Sequence, residues 1–508
     1  MCLSVFLAII TLFVIQLNEA QKHVFLGLII IQLFSLRFYM WSRKGNLPPG
    51  PRGYPILGAM PYLVVHPEKV ITKWSREIYG PILSVPLLNR TIIYLNTYEA
   101  ITEAFSKQGL KLAGRPYMFL FQQISSDLGI TMKTYSEHFK VQRQFGMRSL
   151  KPSRIESLVI QESRYFIDQL HDQVGKVYDM KTDVYNFTAN IICSVVLGKR
   201  FDYDDPAFKL ILESSEKALG EPEDANLMMA MILIPQLRFL PPFHGANQRF
   251  LQNQHRILRM LLGIIEEHQK NFDPNNVEDF IDAYIYEQKF GIGKNTKLFE
   301  NDQLKVYVRD LFIAGVETTS NTIQWSILAL LYNPKYMDLM YNEVYEALGS
   351  DGVPCMKDRE KMPVTCAFIQ EIMRFRTLTP GAAPHSAMED IKLNGYDIPS
   401  GTMVVANLWA LHNDPDTWPE PEKFNPHRHI DSDGKFIHSP KILPFSIGPR
   451  YCMGEGIAKA EIFIFLTSLL QKFTVSRDPN AVYPEEIEQG IVSAMSCPHR
   501  YNIILTAR

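Results

Sequence analysis

The stretch Phe445-Ser446-Ile447-Gly448-Pro449-Arg450-Tyr451-Cys452-Met453-Gly454 sets a single cysteine between glycines, two residues after an arginine and just ahead of a helical pattern that starts near Glu455. A lone cysteine is most often a small buried hydrophobe. Here the glycines bare backbone N–H groups, a helix N-terminus follows, and Arg450 adds positive charge, so the position favours a thiolate, the form that ligates metals. A second stretch, Ala314-Gly315-Val316-Glu317-Thr318-Thr319, puts a small pair, an acid and two hydroxyls into an apolar helical run. That costs helix stability, and breaches of this kind gather where function is. A third, Glu371-Ile372-Met373-Arg374, sets a carboxylate and a guanidinium one turn apart on one helix face, able to pair.

The ten-residue string resembles the haem-binding signature F-x-x-G-x-R-x-C-x-G of the cytochrome P-450 superfamily, with all of its fixed positions matched. The resemblance implies that Cys452 is the proximal ligand of a haem b iron, that Phe445 packs on the ring near the sulfur, and that Arg450 pairs with a haem propionate. Residues 314–319 are similar to the superfamily's A-G-x-E-T-T groove. There Ala314 and Gly315 leave room for dioxygen, Thr318 hydrogen-bonds it, and Glu317 feeds a proton relay. Glu371 and Arg374 resemble the E-x-x-R element, whose partner arginine lies in a later P-E-R-F stretch. Here that stretch reads Phe424-Asn425-Pro426-His427-Arg428-His429, so Arg428 matches while His427 and His429 depart. The implied role of Glu371, Arg374 and Arg428 is structural, a buried ionic cluster that fixes the cysteine loop. Residues 135–143 are similar to the helix carrying W-x-x-x-R: Arg143 is the implied propionate partner, and Phe139 replaces the tryptophan, with the loss of one hydrogen bond. His385 stands where the superfamily often has a further propionate contact, and it reads equally as a satisfied histidine on a strand.

The elements that must position these residues are mostly helices. Apolar residues recur at helical spacing over 135–150, 301–331, 334–348, 366–375 and 457–473. Short strands are expected at 82–88 and 91–95, and at 391–393 and 396–398 around the hairpin signal Asn394-Gly395. The expected fold is mainly α with small β-sheets, the cytochrome P-450 fold, preceded by a membrane anchor. Residues 48–58, 114–116 and 394–433 resemble the microsomal branch that holds drug- and fatty-acid-oxidising enzymes and some steroid hydroxylases. By position, substrate would meet 117–130, 312–318, 378–383 and 490–495, which are apolar and carry no cluster of charge.

Two apolar stretches, 2–17 and 24–41, open the chain, and Arg37, Arg43 and Lys44 follow the second. Positive-inside logic leaves everything after Lys44 in the cytosol. The expected division is an anchor at 1–44, of one span or a hairpin, a Pro-rich linker at 45–57, and a catalytic domain at 58–508 in the endoplasmic reticulum membrane, facing the cytosol. Asn89 and Asn186 match the glycosylation pattern by chance on this reading. Lys plus Arg, 52, nearly balances Asp plus Glu, 54, which offers no footprint for nucleic acid. Six cysteines without paired spacing exclude a disulfide framework.

The implied reaction inserts one oxygen of dioxygen into an apolar substrate (a fatty acid, steroid or xenobiotic) with electrons from NADPH. The chain has no dinucleotide fingerprint, so the resemblance implies a membrane-bound NADPH-cytochrome reductase as donor and leaves cytochrome b5 open as a second. Lys140, Arg148, Lys151 and Arg154 form a basic segment able to face an acidic flavoprotein. A haem-thiolate isomerase would not need the Glu317-Thr318 pair, and a haem sensor would be expected to have lost it.

Overall fold

The computed structural model describes residues 45–88, 90–150, 152–216, 222–291, 297–487, 490–492 and 495–508. The expected anchor at 1–44, Asn89 and Lys151 lie outside the described residues.

Helices make up most of the fold. Those that position the site are α1 (Glu137–Ser149), α2 (Pro152–Leu170), α3 (Lys181–Val196), α4 (Asn301–Tyr332), α5 (Pro334–Leu348), α6 (Pro363–Phe375) and α7 (Glu455–Lys472). With 32 residues, α4 runs about 48 Å. Its apolar residues fall on nearly every face, the pattern of a helix surrounded by others. It packs on α3, α6 and α7, and one large core joins Phe187 of α3, Val316 and Ile323 of α4, and Phe463 and Phe465 of α7.

The strands are β1 (Ile82–Leu87), β2 (Arg90–Leu95), β3 (Val177–Tyr178), β4 (His385–Ser386), β5 (Ile391–Leu393), β6 (Tyr396–Ile398), β7 (Met403–Ala406), β8 (Phe473–Arg477), β9 (Ile491–Val492), β10 (Ser496–Cys497) and β11 (Ile503–Ala507). A four-stranded sheet has the order β1-β2-β7-β4, with β2 and β7 parallel and Ile93 opposite Val404. Its inner residues, among them Ile82, Leu95 and Val404, build a second, smaller core. β5 and β6 form the expected hairpin, turned by Asn394 and Gly395 at φ +49° and +86°.

Helix α6 begins three residues earlier than apolar spacing predicts. Pro363 suits the first helical turn, and the Glu343 carboxylate of α5 accepts from the N–H groups of Val364 and Thr365 at 2.6 and 2.9 Å. The Pro-rich stretch at 45–57 has no helix, turns at Pro55–Leu57, and is pinned to the globule. The Pro49 carbonyl accepts from Ser84 N–H at 2.9 Å, and Asn46 exchanges hydrogen bonds with Gly395 and Asp397. Asn186 is buried within α3 beside Asp183, out of reach of any glycosyl transferase.

Candidate functional site

The cysteine loop owes its shape to close backbone approaches. Gly448 has φ +80°, and a Cβ there would lie 1.7 Å from the Phe105 carbonyl oxygen, so only glycine fits. The Phe445 carbonyl accepts from Cys452 N–H at 2.9 Å, which closes the loop at its neck. Gly146 of α1 lets Tyr307 and Met453 press in beside it. Cys452 is surrounded by protein on most sides, yet its side chain keeps open surface. Burial raises its pKa, and the N–H groups of Gly454 and Glu455 and the charge of Arg143 pull in the opposite direction. The expectation that Arg450 stabilises the thiolate is corrected here. Burial outweighs the local cations, the cation acting on the sulfur is Arg143, and the thiolate is a form that a bound metal must hold.

Arg450 turns the other way. Its guanidinium donates to the carbonyls of Lys133 and Thr131, each at 2.9 Å, and lies 4.1 Å from the centre of the Phe139 ring. Phe139 therefore keeps the aromatic face of the usual tryptophan without its N–H. Arg143 donates to the Tyr451 carbonyl at 2.6 Å. Arg115, which the sequence reading passed over as a site residue, joins them, donating to Thr131 at 3.0 Å and to Pro384 at 2.7 Å. Burial lowers the pKa of Arg450 to about 8 and that of Arg115 to about 10, with Arg143 adding repulsion to both. Among the described residues none of the three pairs with a carboxylate. Buried cations without an anion are costly, and a ligand carrying two carboxylates answers that cost.

His385, on β4, stacks on Phe105 with ring centres 3.8 Å apart, and its Nδ1 lies 2.8 Å from the Leu112 carbonyl. A carbonyl only accepts, so Nδ1 carries the proton. Burial, with Arg115 and Arg450 nearby, lowers its pKa to about 3. It is thus a neutral ring until an anion arrives to favour the imidazolium. A haem with its two propionates fits this donor set and the open thiol; the residues that would hold it are Cys452, the three arginines and His385.

On α4, Thr318 Oγ1 donates to the Ala314 carbonyl at 2.7 Å. Ala314 keeps open surface although its helix is central. Gly315 does not share that opening. A Cβ on it would meet Ile192 Cδ1 at 2.4 Å, so its smallness serves the packing of α4 on α3, and the room expected of the pair comes from Ala314 alone. Glu317 lies near Cys497 of β10, whose thiol burial raises to about 11 with Glu317 adding to the shift. Phe312, read as a pocket residue, is packed into the main core.

The sequence profile of the family Cytochrome P450 matches residues 48–503. The chain belongs to the cytochrome P450 family. It is 31% identical over 510 residues to cytochrome P450 2U1 of Rattus norvegicus, covering 95% of each chain. To cytochrome P450 2C5 of Oryctolagus cuniculus it is 34% identical over 489 residues, 94% of this chain and 97% of the relative. As a cytochrome P450 it is a haem b monooxygenase, an oxidoreductase that receives electrons from NAD(P)H through a reductase and acts on an apolar substrate.

In this P450 the ionic cluster has four members. Arg374 donates to both oxygens of Glu371, at 2.8 and 2.7 Å, Arg428 Nε lies 3.2 Å from Oε1, and His429 Nε2 lies 2.9 Å from Oε2. His429, which the sequence shows only as a departure, is thus a partner of Glu371. Arg374 also donates to the carbonyls of His412 and Pro421, and His412 Nε2 accepts from Leu443 N–H at 2.9 Å, two residues before Phe445. Through this chain α6 holds the neck of the cysteine loop.

Proposed function

We propose that Cys452 is the axial ligand of the haem iron, that Arg115, Arg143, Arg450 and His385 hold the propionates, and that Thr318 and Glu317 handle protons. Phe445 packs beside the sulfur, while Glu371, Arg374 and Arg428 keep a structural role. The reading is carried by one observation: three guanidiniums, that of Arg450 buried and those of Arg115 and Arg143 half-buried, with no carboxylate partner among the described residues, beside a cysteine whose sulfur stays open. When bound, the haem supplies dioxygen activation and oxygen insertion. The chain's own part is to neutralise the propionates, exclude water around the sulfur, and hold a proton at Thr318 Oγ1, whose lone pairs stay able to accept while it donates to Ala314.

The substrates we propose are lipid-like: fatty acids, steroids or apolar foreign compounds entering from a membrane. Residues 1–44 form the anchor in the endoplasmic reticulum, 45–57 the connection, and 58–508 the cytosolic catalytic domain. No helix among the described residues is long and apolar enough to cross a membrane. Contact with lipid is supported by apolar side chains standing in solvent, Val64 and Val65 at 77% and 67% exposure and Phe239 at 69%. Cytochrome b5 is proposed as a second donor at the face that meets the reductase.

Reconstitution with the reductase, NADPH and a total lipid extract tests the substrate, with mass spectrometry searching for products that gain one oxygen. A hydroxylated or epoxidised lipid is the expected result; NADPH consumption without one would exclude the lipids in the extract. Cys452→Ala tests the ligand. It should abolish the red-shifted ferrous carbon-monoxide band of thiolate ligation, and a surviving band would refute the assignment.

A further inference from the structure

A hollow of 470 Å³ lies behind the cysteine loop. Phe445 to Gly448 and Tyr451 form one wall, but neither Cys452, nor the three arginines, nor any residue of α4 takes part. It is a space separate from the site above, and its volume is that of a small-molecule pocket. The floor is apolar, with Ile369 and Met373 of α6, Phe436, Ile442 and Phe463 of α7.

The rim is cationic. Lys459 and Arg359 border the hollow with His438 and Glu455, and Glu455 is already engaged by Lys459 at 2.6 Å. Arg359 has no carboxylate within ion-pair reach among the described residues, and burial together with Lys459 and Arg359 lowers the pKa of His438. One positive charge is thus left over at the mouth of an apolar cavity. Ser446, on the wall, is held in the left-handed region at φ +59°, which shapes this face of the loop.

We infer that this hollow is a second binding site, for an amphipathic monoanion whose alkyl chain lies on the Ile369–Phe463 floor and whose carboxylate meets Arg359 and Lys459. An occupant touches Phe445, whose carbonyl accepts the Cys452 N–H, so it sits one residue contact from the loop that carries the sulfur.

The test is photolabelling of the full-length holoenzyme with a dodecanoic acid bearing a diazirine in its chain, followed by peptide mapping. Label is expected on peptides holding Met373 and residues 436–442, with dodecanoate competing about tenfold better than dodecanol. Arg359→Gln combined with Lys459→Gln should weaken this labelling about tenfold, and Ile369→Trp, which fills the cavity without changing charge, should remove it. The carbon-monoxide band of each variant reports that it has folded with haem. Label confined to other peptides, or equal competition by the alcohol, would overturn the proposal. So would a face that the reductase protects but dodecanoate does not, which would make the hollow part of a protein interface.

Discussion

Arg115 lies in Gly114-Arg115-Pro116, a tripeptide whose likeness to microsomal enzymes is visible in the sequence but whose chemistry is not. Its role follows from burial and from three backbone carbonyls contributed by residues 131, 383 and 384, far away in the chain. No local pattern encodes that convergence. Cys452, Arg143 and Arg450 were legible because fixed spacing marks them; His429 was not, because a histidine in place of a phenylalanine reads as a loss until Glu371 is found beside it. Arg115→Gln keeps a donor for the carbonyls and removes the charge. Losing a charge-assisted contact to a propionate is worth about 1.5–3 kcal/mol, so haem should pass to an excess of globin apoprotein about tenfold faster or more. A change below twofold would take Arg115 out of the set that holds the haem.

Most helices and the hairpin at 391–398 were legible to within a few residues, because apolar period and turn chemistry agree there. The clamp between α6 and the cysteine loop was not, since it depends on groups 31 to 58 positions apart. This clamp should contribute to the acid sensitivity of the fold. Burial raises the Glu371 carboxyl, but the double hydrogen bond from Arg374, the contact with His429 and the charge of Arg374 hold its pKa at about 2, below the usual 4.5. Burial, with Arg374 nearby, lowers His412 to about 3 from 6.5. Both pKa values are depressed on folding, so each group contributes stability that is present above its unfolded pKa and lost as pH falls. His412 therefore costs about 1.4 kcal/mol per pH unit from 6.5 down towards 3, and Glu371 adds a similar slope from 4.5 down towards 2. Urea unfolding at a series of pH values should show a decline below 6.5, shared by His412 and by His385, which burial also lowers to about 3, and a steeper one below 4.5; above 7 stability should fall again as His268, raised to about 9 by its hydrogen bond to Asp279, loses its proton. His412→Gln should be less stable at pH 7 through its lost hydrogen bonds, with a slope between 6.5 and 4.5 shallower by one proton. An unchanged slope there would place the titrating group elsewhere.

Across the whole molecule a net charge of -2 conceals an uneven distribution. The basic segment noted in the sequence falls on α1 and the start of α2, and Tyr451, the neighbour of Cys452, reaches it through a 3.8 Å contact with Met147. That adjacency, invisible in the sequence, places exposed cations beside the loop that carries Cys452. Lys140 and Arg148 are already shared with Glu137 and Glu287, at 3.5 and 3.6 Å, and exposed pairs of this kind hold little energy, so both cations stay available to an acidic partner. Arg154 is exposed on α2. Charge steering acts on encounter more than on affinity, and salt screens it over about 10 Å at 0.1 M. Arg148→Glu with Arg154→Glu should therefore slow reductase-driven turnover several-fold at low salt and lose that difference as ionic strength rises. Peroxide-driven turnover needs no donor and should be unchanged. Equal loss in both assays would mean that the substitutions disturb α1 and its hold on Tyr451, and the segment would then be a structural support of the cysteine loop instead of a landing site for the electron donor.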